Sequence, residues 1–274
     1  MDGYMLRAAI GQRLSRPGFR FRKRSLLEGR SNEQAVLDRV SGVGIPPAAP
    51  SSGSELAASE RISAISFGNV GWMSHNIRPL TLAISRKQPR RVNLLLATID
   101  FRYVFGGYIG MFNLALFLKR MGHQVRIVLT ESVDYRPEEW RRQIQKFPGL
   151  ESLFDDVEIA PRFDRTDPLP VNPDDAFVAT SCWTAHVAHH AVQELGHERF
   201  VFMVQEYEPI FTSYNSINAI FRQAYDFPQY ALFSTAILQD FFRAKKIGVY
   251  VDGVEAGDVL STVFHNAICR FTPK

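Results

Sequence analysis

Cysteine is scarce in this chain: there are two in 274 residues, Cys182 and Cys269, far apart and without C-x-x-C spacing. That argues against a disulfide framework and a structural zinc site, and leaves each thiol as a small buried hydrophobe. Long apolar runs are also lacking. No window reaches about eighteen uninterrupted apolar residues, so no membrane-spanning helix is expected, and the basic N-terminus is not followed by the apolar stretch of a secretory leader. The expected location is the cytoplasm. Nucleic-acid motifs are missing, and the aromatics nearest the basic stretch, Tyr4, Phe19 and Phe21, do not build a stacking platform. No nucleic-acid partner is therefore expected. No internal repeat at a fixed period is visible.

What is present describes an ordinary globular chain, 46% hydrophobic and 22% charged, large enough for a sizeable core. The net charge of +4 is modest, but its distribution is uneven. Residues 1–30 hold eight basic side chains, Arg7, Arg13, Arg16, Arg20, Arg22, Lys23, Arg24 and Arg30, against Asp2 and Glu28. Such an arm is either a solvated, poorly ordered segment or an electrostatic attachment to an anionic membrane surface, peripheral to its inner face. Between Val43 and Glu60 the composition shifts to Gly, Pro, Ala and Ser, too little apolar surface to offset ordering. Residues 1–60 are thus read as arm and linker, and 61–274 as the folded domain.

Within that domain, apolar strand-like runs fall at Val92 to Ile99, Val125 to Thr130, Val157 to Ala160, Ala176 to Thr180, Phe200 to Val204 and Tyr230 to Ser234. Helical periodicity fills most gaps, at Gly110 to Arg120, Pro137 to Lys146, Thr184 to Leu195, Ile217 to Tyr225 and Gln239 to Lys245. Parallel neighbours need crossover connections, so the alternation predicts an α/β, Rossmann-like parallel sheet with helices on both faces. Ligands are then expected outside the carboxyl ends of the strands. The short apolar stretches around residues 62–85 read as strands or packing segments.

The most informative segment is Val92 to Gln124, which joins a buried strand, a glycine loop and an amphipathic helix. Its order G-G-x-x-G is not the dinucleotide fingerprint, and Gly106 comes six positions after Asp100. Gly106 and Gly107 are expected to bring backbone N–H groups to a ligand at a helix N-terminus, at positive φ. Tyr103, Phe105 and Tyr108 either stack on a sugar ring or simply pack. Asp100 either orients a hydroxyl or caps the loop. Trp183 and Thr184 sit between a strand and a helix, where Thr184 is also a candidate N-cap. Glu206 and Glu208, with Gln205 before them, should share one side of an extended backbone, as paired acids or as a salt-bridged strand end. His186, His189 and His190 are spaced along one helix, but AHVAHHAV lacks the glutamate of known zinc signatures, so no metal is expected. No catalytic residue is assigned from the sequence.

These residues carry a resemblance. Val92 to Val128, with Asp100, Phe105, Gly106 and Gly107 before the helix and the ending L-x-x-x-G-H-x-V, resembles the first strand, glycine loop and helix of GT-B glycosyltransferases of glycosyltransferase family 4. The variant is most similar to rhamnosyltransferases and rhamnan-synthesis enzymes of bacterial surface polysaccharide assembly. AFVATSCWTAH and FVFMVQEYEP resemble two later motifs of that subgroup, and LFSTAILQDFF resembles its strand and Ser-containing loop, placing Ser234 among the candidate binding residues. The resemblance covers roughly residues 90 to 270. It implies an acceptor-side N-terminal domain that takes a nucleotide sugar and a saccharide acceptor as substrates, with no further cofactor. The chain ends where the first of two such domains would end, so a donor-binding half, separately encoded, is the expected partner. A noncatalytic carbohydrate-binding or complex-forming module derived from such an enzyme is the alternative.

Overall fold

The computed structural model of the protein describes residues 71–131 and 134–264. The basic arm, the linker, the expected boundary at residue 61 and Cys269 lie outside the described residues. Seven strands form one parallel sheet: β2 (Arg91–Leu96), β3 (Gln124–Leu129), β4 (Glu158–Pro161), β6 (Ala176–Ala179), β7 (Phe200–Val204), β8 (Gln229–Phe233) and β9 (Ser261–Val263). Two three-residue strands, β1 (Leu82–Ile84) and β5 (Leu169–Val171), pair in parallel beside it.

The sheet order is β4-β3-β2-β6-β7-β8-β9. From β2 the chain runs outward through β3 to β4, then returns to lay β6 on the other side of β2. The order therefore reverses between β2 and β6, where a doubly wound sheet leaves a crevice at its carboxyl edge. Crossovers that run in opposite directions with one handedness must place their helices on opposite faces. The burial agrees: Leu95, Val128, Phe177, Phe202 and Phe233 join one core with α4 (Cys182–Glu194), α5 (Ser216–Asp226) and α6 (Ala236–Lys245). The alternate residues Leu94, Ile127, Val178 and Leu232 point the other way and are equally buried. On that face α1 (Gly106–Arg120) packs through Phe112 against Phe154 of the short α3 (Leu153–Asp156), and Trp140 of α2 (Pro137–Ile144) meets Phe154 as well.

The amino end of the sheet is held by a buried polar cluster. Asn93 in β2 donates to Asp175 at 3.1 Å and accepts from Arg126 of β3, whose guanidinium lies 3.8 Å from Asp175. All three side chains are essentially inaccessible, so each depends on the others for satisfaction. The last helix, α7 (Val254–Leu260), feeds β9 directly, and a Cβ on its Gly257 would sit 2.1 Å from the Tyr250 ring. Among the described residues, no helix is long and apolar enough to cross a membrane.

Candidate functional site

The carboxyl ends of β2, β6, β7 and β8 converge on the switch point, and polar side chains pin their loops to each other. Thr180 donates its hydroxyl to Leu95 O at 2.8 Å, joining the end of β6 to β2. Ser181 caps α4, and Thr184 completes a capping box: its hydroxyl accepts from the amides of Thr180 and Ser181 at 2.9 Å each. Thr184 is therefore the third residue of the helix and fully buried, and Ser181 takes the N-cap position. Trp183 is likewise engaged, edge-on between Trp72 at 5.0 Å and Phe221 at 4.8 Å, with little surface left for a sugar ring.

The loop after β7 does not continue as a strand. β7 ends at Val204 and a 3-10 turn begins at Glu208, so Glu206 and Glu208 do not alternate along an extended backbone. Pro209 cannot donate to a strand ladder, and Tyr225 draws the chain inward: its hydroxyl donates to Glu206 O and accepts from Glu208 N–H. The two acids consequently occupy different environments. Glu206 is exposed, whereas the Glu208 carboxylate turns in and accepts the Cys182 N–H at 2.7 Å, at the N-terminus of α4. Burial pushes the Glu208 carboxyl up to about 7 even against that hydrogen bond, and the neighbouring Glu206 charge adds to the rise. The adjoining Cys182 thiol is buried and pushed well above its ordinary value by desolvation and by Glu208. Ser234 donates to Gln205 O at 3.0 Å and so fastens β8 to this loop.

Gly106 and Gly107 open α1 in helical conformation; they do not adopt the positive φ expected from the sequence. The need for a small residue is a matter of space, because a Cβ on Gly107 would lie 3.5 Å from the Gln205 amide. That amide's Oε1 is buried without a partner. Phe105, the N-cap residue of α1, is 68% exposed and gives no side-chain cap to the first turn. Tyr108 lies half-buried against Phe112, its hydroxyl held up to about 12 by desolvation and by the nearby charges of Glu131 and Asp100. Asp100 caps the 3-10 turn Phe101–Tyr103 by accepting from Arg102 N–H at 2.9 Å, and it pairs with the Arg102 guanidinium, which holds its carboxyl below the usual range.

The structure thus gathers Gln205, Glu206, Glu208, Gly106 and Gly107 about the crevice, sets Phe105 and Tyr108 along its β2 side, turns Asp100 toward the outer rim of the β2 loop, and gives Trp183, Thr184 and Ser234 supporting contacts. Glu131 follows β3, where a dinucleotide site would carry its ribose-binding acid. Its carboxyl is raised by burial and steadied by Arg165, a fully buried arginine at φ +62 with Nη2 unpartnered. His186 gives its ring nitrogen to Ile220 O at 2.9 Å, and His189 stacks on Phe227 at 4.1 Å. Among the described residues no group of three His, Cys, Asp or Glu side chains is placed to hold a metal ion.

A second opening lies on the outer side of the β2 loop. A cleft of about 570 Å³ is bounded by residues 98–102, Asp134, Arg136 and the first turns of α2.

A doubly wound sheet with a helix N-terminus and acids at its switch point is the architecture of a Rossmann-like ligand-binding domain. The model of the family described as "WsaF, N-terminal domain" matches residues 91–236, more than half of the chain, and the chain belongs to that family. It is thereby a GT-B-like glycosyltransferase N-terminal domain, with a glycosyltransferase-related function in glycan synthesis. Comparison with curated proteins gives no match.

Proposed function

We propose that the protein supplies the acceptor-side half of a glycosyltransferase of family 4 type, which moves a sugar, rhamnose in our reading, from a nucleotide-sugar donor to a saccharide acceptor during bacterial surface polysaccharide synthesis. A donor-binding domain, on this or another chain, completes the site. The observation that carries the reading is Glu208: a carboxyl at the switch-point crevice, ionising near neutrality and held by the α4 N-terminus.

The chemistry follows from that position. An acceptor hydroxyl oxygen bonds to the anomeric carbon as the bond from that carbon to the diphosphate oxygen breaks. Negative charge leaves with the nucleotide diphosphate, and the hydroxyl proton passes to the Glu208 carboxylate. Gln205 and Glu206 orient the acceptor, and the dipole of α1 favours the departing anion. The nucleotide sugar is a substrate, and no resident cofactor or metal enters the reading.

The test is transfer by the full chain, with and without a donor-binding domain, from a panel of nucleotide sugars that includes dTDP-rhamnose. Product should form only when both halves are present, and Glu208→Gln should lower turnover about 100-fold. Saccharide binding without transfer under every pairing would favour the noncatalytic module instead.

A further inference from the structure

We infer that the cleft between the β2 loop and α2 is a binding site for a neutral saccharide, distinct from the Glu208 crevice. The inference deepens the glycosyltransferase reading by naming where, and in which charge class, the acceptor chain is held.

The segments that follow β2 and β3, neighbours in the sheet, build the cleft. The β2 loop contributes Thr98, Ile99 and Asp100, the 3-10 turn contributes Phe101 and Arg102, and the approach to α2 and its first turns contribute Asp134, Arg136, Glu139, Trp140 and Gln143. Its volume of about 570 Å³ falls within the roughly 300–1,000 Å³ range of small-molecule sites. The floor is apolar. Ile99 and Trp140 are 2% and 4% exposed, and Phe101 packs on Phe147 and Phe154 beneath them. The rim is planar and polar, made of carboxylates, guanidiniums and one carboxamide. That combination matches a sugar ring, which presents C–H groups on its faces and hydroxyls that both donate and accept around its edge.

Charge decides between a sugar and a phosphate. Three carboxylates face two guanidiniums, so the lining carries one net negative charge. Both guanidiniums are also committed: Arg102 to Asp100 at 3.0 Å, and Arg136 to Asp134 at 2.5 Å and Glu139 at 3.5 Å. A nucleoside diphosphate would meet repulsion and would have to break these pairs. A hydroxyl needs neither, because Glu139, paired with Arg136 through one oxygen, keeps lone pairs to accept from it. The ion pairs also hold the rim in place before a ligand arrives, which lowers the ordering cost of binding.

The experiment titrates the full chain with neutral methyl glycosides and neutral disaccharides, using a hexuronate and dTDP as charged controls. Heat of binding and tryptophan emission are followed together. We expect a neutral saccharide to bind and to change the emission, and the emission change to vanish in Trp140→Phe while the heat remains. Gln143→Ala and Asp100→Asn should each weaken binding about tenfold, with circular dichroism confirming that both variants fold. The charged controls should bind at least about tenfold more weakly than the neutral ligand, with affinities unmoved by these substitutions. The proposal is overturned if no neutral saccharide binds, if both variants bind like the parent chain, or if dTDP competes at the Trp140 signal. A chain that transfers sugar yet shows no effect of Gln143→Ala or Asp100→Asn would sink this site and leave the reading of the Glu208 crevice standing.

Discussion

Replacing Glu208 by glutamine should make the protein more stable at alkaline pH and leave it nearly unchanged in acid. The carboxyl ordinarily ionises at 4.5 and is raised to about 7 in the folded chain, chiefly by burial. Below pH 4.5 both folded and unfolded chains carry the proton, and the group exacts no penalty. Between those values the folded chain keeps a proton that the unfolded chain has released, so stability falls as pH rises, and above 7 the loss is complete. A gap of that size corresponds to roughly 3 kcal/mol, at about 1.4 kcal/mol per pH unit. Glutamine keeps an oxygen to accept the Cys182 N–H, so Glu208→Gln should gain up to about 3 kcal/mol at pH 8 over the parent and almost nothing at pH 4.5. Glu208→Ala forfeits that acceptor as well, which costs about 1 to 2 kcal/mol and offsets much of the gain. Urea unfolding of the three proteins at both pH values measures the difference. A Glu208→Gln effect of equal size at pH 4.5 and pH 8 would refute the assignment of a raised, buried carboxyl. A residue that weakens the fold at working pH is what a reactive position requires, which links this measurement to the transfer assay.

The histidines of α4 should act in the opposite sense. Burial lowers the His186 and His189 imidazoles, so the folded chain binds fewer protons than the unfolded one and stability falls as pH drops through about 6.5; His186→Gln should flatten that limb of the urea profile, and an unchanged slope would exclude it. At Gly107 an alanine Cβ makes ordinary contact with Gln205, so Gly107→Ala should melt within about 1 kcal/mol of the parent. The branched side chain of Gly107→Val should displace Gln205 and abolish ligand binding while leaving the helical circular dichroism intact, and retained affinity would remove the loop from the site. Deleting residues 1–40 removes most of the N-terminal basic charge and should weaken sedimentation with anionic vesicles; equal sedimentation would dismiss a membrane role for the arm.

Much of the architecture can be read from periodicity. The run at Phe200–Val204 forms a strand over the span its pattern predicts, and the helix before Gly122 ends where a left-handed glycine, at φ +89, turns it into β3. The misplaced boundaries have local causes. α1 starts one turn before its apolar stripe because its glycines are helical, and β2 stops at Leu96, short of Ile99. Three-residue strands such as β1, β5 and β9 are too short for a period of two to register, so only their partners define them.

The order of residues along this chain was enough to decide that strands and helices alternate, that the sheet is parallel, and that its carboxyl edge would carry polar side chains. Packing alone decided which of those side chains meet. Glu208 reaches the Cys182 amide from 26 residues away, Thr180 reaches Leu95 from 85, and the floor of the outer cleft exists only because α2 lies beside the β2 loop. Local pattern sets the conformation of each segment, because backbone sterics and apolar spacing act over a few residues. The ionisation of a carboxyl and the shape of a cavity depend on neighbours brought from distant positions, and those neighbours are set by the order in which the strands dock.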